Sequence, residues 1–410
     1  MIRRLIILIA FLPSICWGWF STDYPNRRVI YIMTDSLDSE NLTNVPAPYW
    51  WADSLDITGL DTNRAYVNSD DLTQLWASAK EDSIDWIKIP QQDSTPITDS
   101  FYIYYGASSG GLSQDSSEMV FDTTGNDWQG GWHFKGVSDS FPGVTYNANY
   151  AFPKGAVVTD TTGYIGKGIW ISGASGDSVI ITQVLNDLIP GKGTVMLWCK
   201  LTSLADNKGL FDMRSAGYFG AFASASADVA YRYGRDGNFI STDSSGVGMN
   251  WGFWAFTRDS SSEAIIYKQG KEAVKYSGSW DAPDFSGEFY LGRLDLTGSY
   301  ALAGFLDEVF FTNDIKSAEW IQNQYLAQSN LLLTTSAEES EAAVEEYPLK
   351  YRLHGGKRGN LLHEDRGRLW KTPFSTHTSN GGGGGGGGGG KGLSSGSVTT
   401  SFLITIIVCL

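Results

Sequence analysis

Chemistry in a polypeptide needs nucleophiles, acids, bases or metal ligands brought together, and this sequence supplies few of them. Of its four histidines, His354, His363 and His377 lie in a stretch without strand or helix patterning, which leaves His133. A Ser-His-Asp triad would have to use that residue, inside Trp132-His133-Phe134, where an imidazole among aromatic rings is expected to be a satisfied core group. His-Glu-x-x-His and Cys/His metal spacings do not occur. Hydrolysis of a glycosidic bond needs two carboxylates across a cleft. Asp307 and Glu308 are adjacent, and neighbours on a regular strand point to opposite faces, so they are not expected to form that pair. The residues suited to a non-covalent task are rings, because a sugar's CH face stacks on a π face while its hydroxyls seek polar neighbours. Trp251, Trp280, Tyr231 and Tyr233 are the candidates; Trp254, within Phe253-Trp254-Ala255-Phe256, is expected to be core. The expectation is a binding protein and not an enzyme.

Strands must carry those residues. Apolar and β-branched runs of four to seven residues recur, bounded by Gly, Ser, Thr, Asp and Asn clusters. Arg28–Ile32, Asp85–Pro90 and Ser100–Gly106 are three, and Thr194–Lys200, Trp254–Arg258, Ala264–Tyr267, Glu288–Gly292 and Phe305–Phe311 follow. Spacing near ten residues with Gly-rich gaps predicts β-sandwiches. The segment Asp70–Lys80 fits a strand or a short helix equally. One helix is expected after Ser317, its cap, with Trp320, Ile321 and Tyr325 at helical spacing. The 410 residues include 48 Gly and 15 Trp, which suits many short strands joined by tight turns. A formal net charge of -15 argues against a nucleic-acid partner, since little here would displace counterions from phosphates.

The two ends have a different character. Residues 1–18 read as an export signal: Arg3 and Arg4, then the apolar run Leu5–Leu12, then small residues near Cys16 and Gly18. The protein is therefore expected in the periplasm, at the cell surface or outside the cell. A lipid attached at Cys16 is the weaker reading, because Ile15 is bulky where a small residue is expected. With only Cys16, Cys199 and Cys409, a disulfide framework is excluded from the body, and Cys199 in Val195–Cys199 reads as a buried, inert thiol. Residues 331–410 read as a low-complexity, disordered tail, with five Glu between Glu338 and Glu346 and ten consecutive Gly from Gly381 to Gly390. Its apolar end, Phe402–Leu410, is too short to span a bilayer, so membrane contact is expected only through that tail. A shifted or truncated reading frame would leave the same pattern.

Two segments resemble known families. Residues 19–121 resemble an exported bacterial family known as domain of unknown function 2341, on Trp19 with Arg28-Val29-Ile30, Asp85–Pro90, and Ile103-Tyr104-Tyr105-Gly106. Residues 128–330 are similar to the laminin G-like, concanavalin A-like group. The likeness rests on Trp132-His133-Phe134, Gly163–Ile171, Thr194–Lys200, and Gly304–Phe311 followed by the helix near Ser317. The long loop Lys135–Thr162 departs from the pattern. The resemblance implies an all-β chain: an N-terminal β-sandwich, then a concanavalin A-like jelly roll. It implies binding of a glycan or a surface protein, usually without catalysis. It also implies structural calcium, with Asp139 and Asp307 as the favoured ligands, against a reading in which Asp307 only accepts backbone hydrogen bonds. Concanavalin A-like glycosidases carry alternate acids on one strand, and Asp307–Phe310 lacks the later ones. Adhesion through the second sandwich is the leading expectation, with a structural envelope component of a larger membrane assembly as the alternative and a polysaccharide-active enzyme third.

Overall fold

The structure, a computed structural model, describes residues 24–33, 41–51, 64–69, 75–80, 84–92, 99–107, 114–121, 127–135, 139–145, 149–181, 192–203, 207–214, 218–224, 228–232, 239–242, 249–259, 262–279, 289–294, 300–336 and 339–340. Trp19, the export segment 1–18, Cys16, Cys409 and residues 341–410 lie outside them. The described residues are organised as four β-sheets and two helices, α1 (Ser117–Val120) and α2 (Ala318–Gln328).

The first sandwich pairs a five-stranded with a four-stranded sheet. In the five-stranded sheet Asn26–Ile32 lies between Ser100–Tyr105 and the late strands Leu333–Thr335 and Glu339–Ser340, and Ala65–Asn68 closes the far side. Facing it, Asp85–Gln92 lies between Leu42–Tyr49 and Ala77–Lys80, which settles Asp70–Lys80 in favour of a strand over its described part. Ile30, Ile32, Phe101 and Ile103 from one sheet meet Val45, Ala47, Ile87 and Ile89 from the other. Asp85 points into this same layer, where Arg64 donates to both its oxygens at 2.6 and 2.7 Å and the Tyr66 hydroxyl donates at 2.5 Å. Burying a charge is costly unless it is paired and hydrogen-bonded, and here it is both.

The late strands change the extent of this sandwich. The sequence places residues from 331 onward in a tail, yet Ile30, Tyr31 and Ile32 pair with Thr335, Thr334 and Leu333, and Asn26 pairs with Ser340. Polar composition hides them: a Thr-Thr-Ser run followed by glutamates has no apolar alternation to detect. The first sandwich is thus built from both ends of the body, and the second sandwich is inserted into it.

The second sandwich stacks an eight-stranded on a seven-stranded sheet. The larger has the order Val157–Thr162, Lys167–Ser172, Ala303–Thr312, Gly193–Leu201, Gly252–Arg258, Glu263–Lys268, Lys271–Ser277, and Trp128–Trp132 also pairs with Ala303–Thr312. The smaller has the order Phe239–Ser241, Val229–Arg232, Tyr218–Ala223, Lys208–Arg214, Phe289–Leu291, Ser178–Ile181, Ala151–Lys154. Side chains alternate along a strand. Val195, Leu197 and Cys199 therefore enter the core between these two sheets, while Met196 and Trp198 point outward. Outward here is not into water. Met196, Trp198, Phe253, Ala255, Ile265, Tyr267 and Phe310 join the core of the first sandwich without a break. A sheet buried on both faces explains the unbroken apolar run Val195–Cys199.

Helix α2 seals the junction. Ser317 caps it, its hydroxyl accepting from the Trp320 N–H at 3.2 Å. A line of buried amides then crosses it: Asn323 donates to Gln92, Gln324 donates to the Pro46 carbonyl at 2.9 Å, and Gln328 accepts the Trp198 indole N–H at 2.6 Å. The helix packs along Leu42–Tyr49, an edge strand carrying Pro46 and Pro48. Prolines belong on edges, and a helix laid there blocks further pairing.

Candidate ligand-binding face

The outer face of the eight-stranded sheet is covered by the first sandwich over part of its length only, and the register identifies what the rest presents. Val158 pairs with Trp170, Trp170 with Phe305, and Phe305 with Lys200. Cys199 pairs with Gly252, which brings Trp251 into line with Lys200. Directly opposed residues on antiparallel strands share a face. Val158, Trp170, Phe305, Lys200 and Trp251 therefore form one row, while their neighbours Ile169, Ile171, Leu306 and Cys199 point into the sandwich. Val158 is exposed, and the other four are half-buried.

The row is a platform of rings with one cation. The Trp251 and Phe305 centroids lie 6.0 Å apart at 53°, and the Lys200 ammonium stands 5.7 Å from the Phe305 centroid, within cation–π reach. Half-buried Tyr164 touches Trp251 edge-on at 6.1 Å and stacks on Trp198 at 3.5 Å and 14°. Trp198 is buried and tied to α2 through Gln328, so the platform rests on fixed groups. Beyond the row, toward the free end of the strands, the side chains become small or hydroxylated: Ser172 pairs with Ala303, and exposed Thr202 donates to the Ala303 carbonyl at 2.9 Å. Flat apolar faces beside hydroxyls and an ammonium can hold a ligand with both CH and OH surfaces. They offer no acid–base pair.

Of the residues singled out from sequence, Trp251 belongs to this row. Tyr231 does not: it is fully buried between the sheets against Phe211 and Phe256, with burial raising its hydroxyl pKa and the nearby Arg258 opposing that. Its strand, Val229–Arg232, puts Val229 and Tyr231 on the core side by alternation, so it cannot meet an external ligand. Tyr233 and Trp280 lie outside the described residues. Trp254 is buried, as expected. Trp170, Phe305, Lys200 and Tyr164 were missed as a site. Each sits in a segment read only as a strand or turn, and the row exists only once four strands are in register.

Asp139 is exposed on a loop, and Asp307 is fully buried. The Asp307 carboxylate accepts from the Ile165 N–H at 2.8 Å and from the Glu308 N–H at 2.9 Å. Among the described residues no cluster of three His, Cys, Asp or Glu side chains is placed to hold a metal. The expectation that Asp307 and Glu308 face apart is corrected. Between the pairs Met196–Phe310 and Trp198–Asp307 the register shifts, and Glu308 adopts a positive φ of 49°. This bulge turns both carboxylates to the outer face. Glu308 there meets His133 Nδ1 at 2.6 Å, and the imidazole stacks on Trp86 of the first sandwich at 4.7 Å and 25°. Glu308 and His133 are buried under that sandwich, which makes the cluster part of the junction.

Residues 173–322 match the family described as the Concanavalin A-like lectin/glucanases superfamily. No curated protein matches the chain. Among solved structures, the receptor binding domain of botulinum neurotoxin C/D mosaic serotype is similar at 14% identity, with a TM-score of 0.41 over 49% of this chain and 51% of that one. The binding domain of Paraclostridial Mosquitocidal Protein 1 is similar at 14% identity, with a TM-score of 0.40 over 48% of this chain and 52% of that one. The chain spans about half the length of these structures. The fold is all-β, and the second sandwich is a concanavalin A-like jelly roll whose upstream strands, from Trp128 to Ser172, precede the matched segment.

Proposed function

We propose that this protein is an exported, non-catalytic binding protein that holds a glycan against the row Trp170–Phe305–Lys200–Trp251. The observation that carries the reading is the row itself: three half-buried rings in register on one face of a sheet, with Val158 exposed at its end. Aromatic faces left open at the end of a rigid sheet lose little entropy on binding, because the backbone and the supporting Trp198 are already fixed. Export is supported by the basic-then-apolar pattern of residues 1–18, and adhesion at a cell surface follows from export together with glycan binding. The likeness of residues 19–121 to domain of unknown function 2341 fits the same setting. Structural calcium through Asp139 and Asp307 belongs to the proposal only if Asp307 exchanges its backbone hydrogen bonds for the ion.

The test is retention on immobilised polysaccharides by affinity electrophoresis, with Trp251→Ala and Phe305→Ala beside the unaltered chain. Each variant is expected to lose about tenfold or more in affinity, the size of a lost ring contact in a small site. Unchanged retention in both variants, or no retention of any polysaccharide, would overturn the reading. In the latter case a protein partner recovered by pull-down would support the structural-component alternative.

A further inference from the structure

We infer that the glycan held by this row is an acidic one, its negative group paired with Lys200; this rests on the reading of the row as a glycan platform. The protein is acidic overall, with 45 Asp and Glu against 30 Lys and Arg, so its general field repels anions. Two lysines of the second sandwich are placed beside acids, Lys275 bonding to Glu263 and Lys316 meeting Asp314 at 3.3 Å, while Lys268 stands over the Trp254 ring at 5.7 Å. Lys200 differs from Lys275 and Lys316. Its ammonium stands over the Phe305 ring, and among the described residues it has no carboxylate partner. It is also central, with Phe305 directly across on one neighbouring strand and Trp251 beside it on the other.

A half-buried ammonium that meets a ring and no carboxylate among the described residues has given up part of its hydration for a ring quadrupole. A ligand carboxylate or sulfate arriving over the rings would supply the missing counter-charge, in a place where rings on both sides exclude water and strengthen the interaction. A neutral glycan would leave that cation as it was. Position therefore argues for selectivity: stacking on Trp170, Phe305 and Trp251 accepts any sugar with an open CH face, and Lys200 selects those with an anion next to it.

The experiment uses the full chain and paired probes that differ only in charge. These are polygalacturonate and alginate beside their methyl-esterified or carboxyl-reduced forms, and a sulfated galactan beside its desulfated form, measured by affinity electrophoresis and calorimetry. The charged member of at least one pair is expected to bind about tenfold more tightly than its neutral partner. That advantage should shrink with added salt and disappear in Lys200→Met, which keeps the apolar stem over Phe305. Thermal melting of Lys200→Met within a few degrees of the unaltered protein shows that the sandwich is intact. Equal binding of charged and neutral partners, or an advantage that survives Lys200→Met, overturns the inference while leaving glycan binding in place. Binding of no probe, charged or neutral, overturns both. Whether uronate or sulfate wins identifies the kind of anion.

Discussion

Asp307 is where the charge of a single residue has the clearest consequence. Burial pushes its carboxyl well above the usual range and the neighbouring Glu308 charge adds to this, while the backbone N–H groups of Ile165, Glu308 and Tyr164 pull the other way. The folded chain therefore keeps a proton that the unfolded chain has released. Stability from this group is complete below about pH 4, the ordinary carboxyl value, and is lost as pH rises through the folded value. Melting temperature is expected to decline with pH over that window, and Asp307→Asn should flatten the slope whatever it does to absolute stability; an identical slope in both proteins would contradict the assignment. Cys199 is a second test at this scale. Burial raises its thiol to about 12. It should resist iodoacetamide in the native protein at pH 8 and react within minutes in guanidinium, since the thiolate is the reactive form. Sequence alone revealed this thiol's burial because Val195–Cys199 is apolar throughout. It could not reveal that Glu308 turns toward His133, because one added residue in a strand reverses facing without altering composition.

Helix α2 shows what an element contributes beyond its own stability. Its cap and its aromatic spacing were legible, but the sequence offers no reason to think Asn323, Gln324 and Gln328 are buried. They are, and each joins the helix to a different neighbour. Gln328→Ala removes the acceptor of the Trp198 indole and leaves a buried donor without its partner, at a cost of about 1–3 kcal/mol. Chemical denaturation should show that loss as a lower midpoint with an unchanged m-value. Tyr164 stacks on Trp198, so the same change is also expected to weaken ligand retention by loosening the platform's support. Strand alternation was only partly informative. In Asp85–Pro90, Asp85 lies on the apolar side with Ile87 and Ile89, and Trp86 points to the second sandwich, because both faces are buried and neither has to be polar.

Across the whole molecule, the β-sandwich class could be read from strand spacing and the division into two from the family resemblance, while their nesting could be read from neither. Strand pairing between residues about 300 positions apart leaves no local trace, and polar edge strands leave less. A chain ending at residue 330 lacks the partners of Asn26–Ile32 on one side and exposes that strand's backbone groups. It is expected to melt lower and to bind a hydrophobic dye, and restoring residues 331–340 alone should reverse both. If the shorter chain melts at the same temperature, the late strands contribute nothing and the first sandwich is continuous in sequence.

The pairing of Asn26 with Ser340 also determines how the body would respond to being pulled. Tension applied through the two ends meets first at that pair, opening Asn26–Ile32 from its partner strand one hydrogen bond at a time, like a zipper rather than a lap joint. The inserted sandwich, with its row of rings, lies off the line of force until that zipper is open. A load passing between the two ends would then leave the geometry of that row unchanged until Asn26–Ile32 has parted from its partner strand.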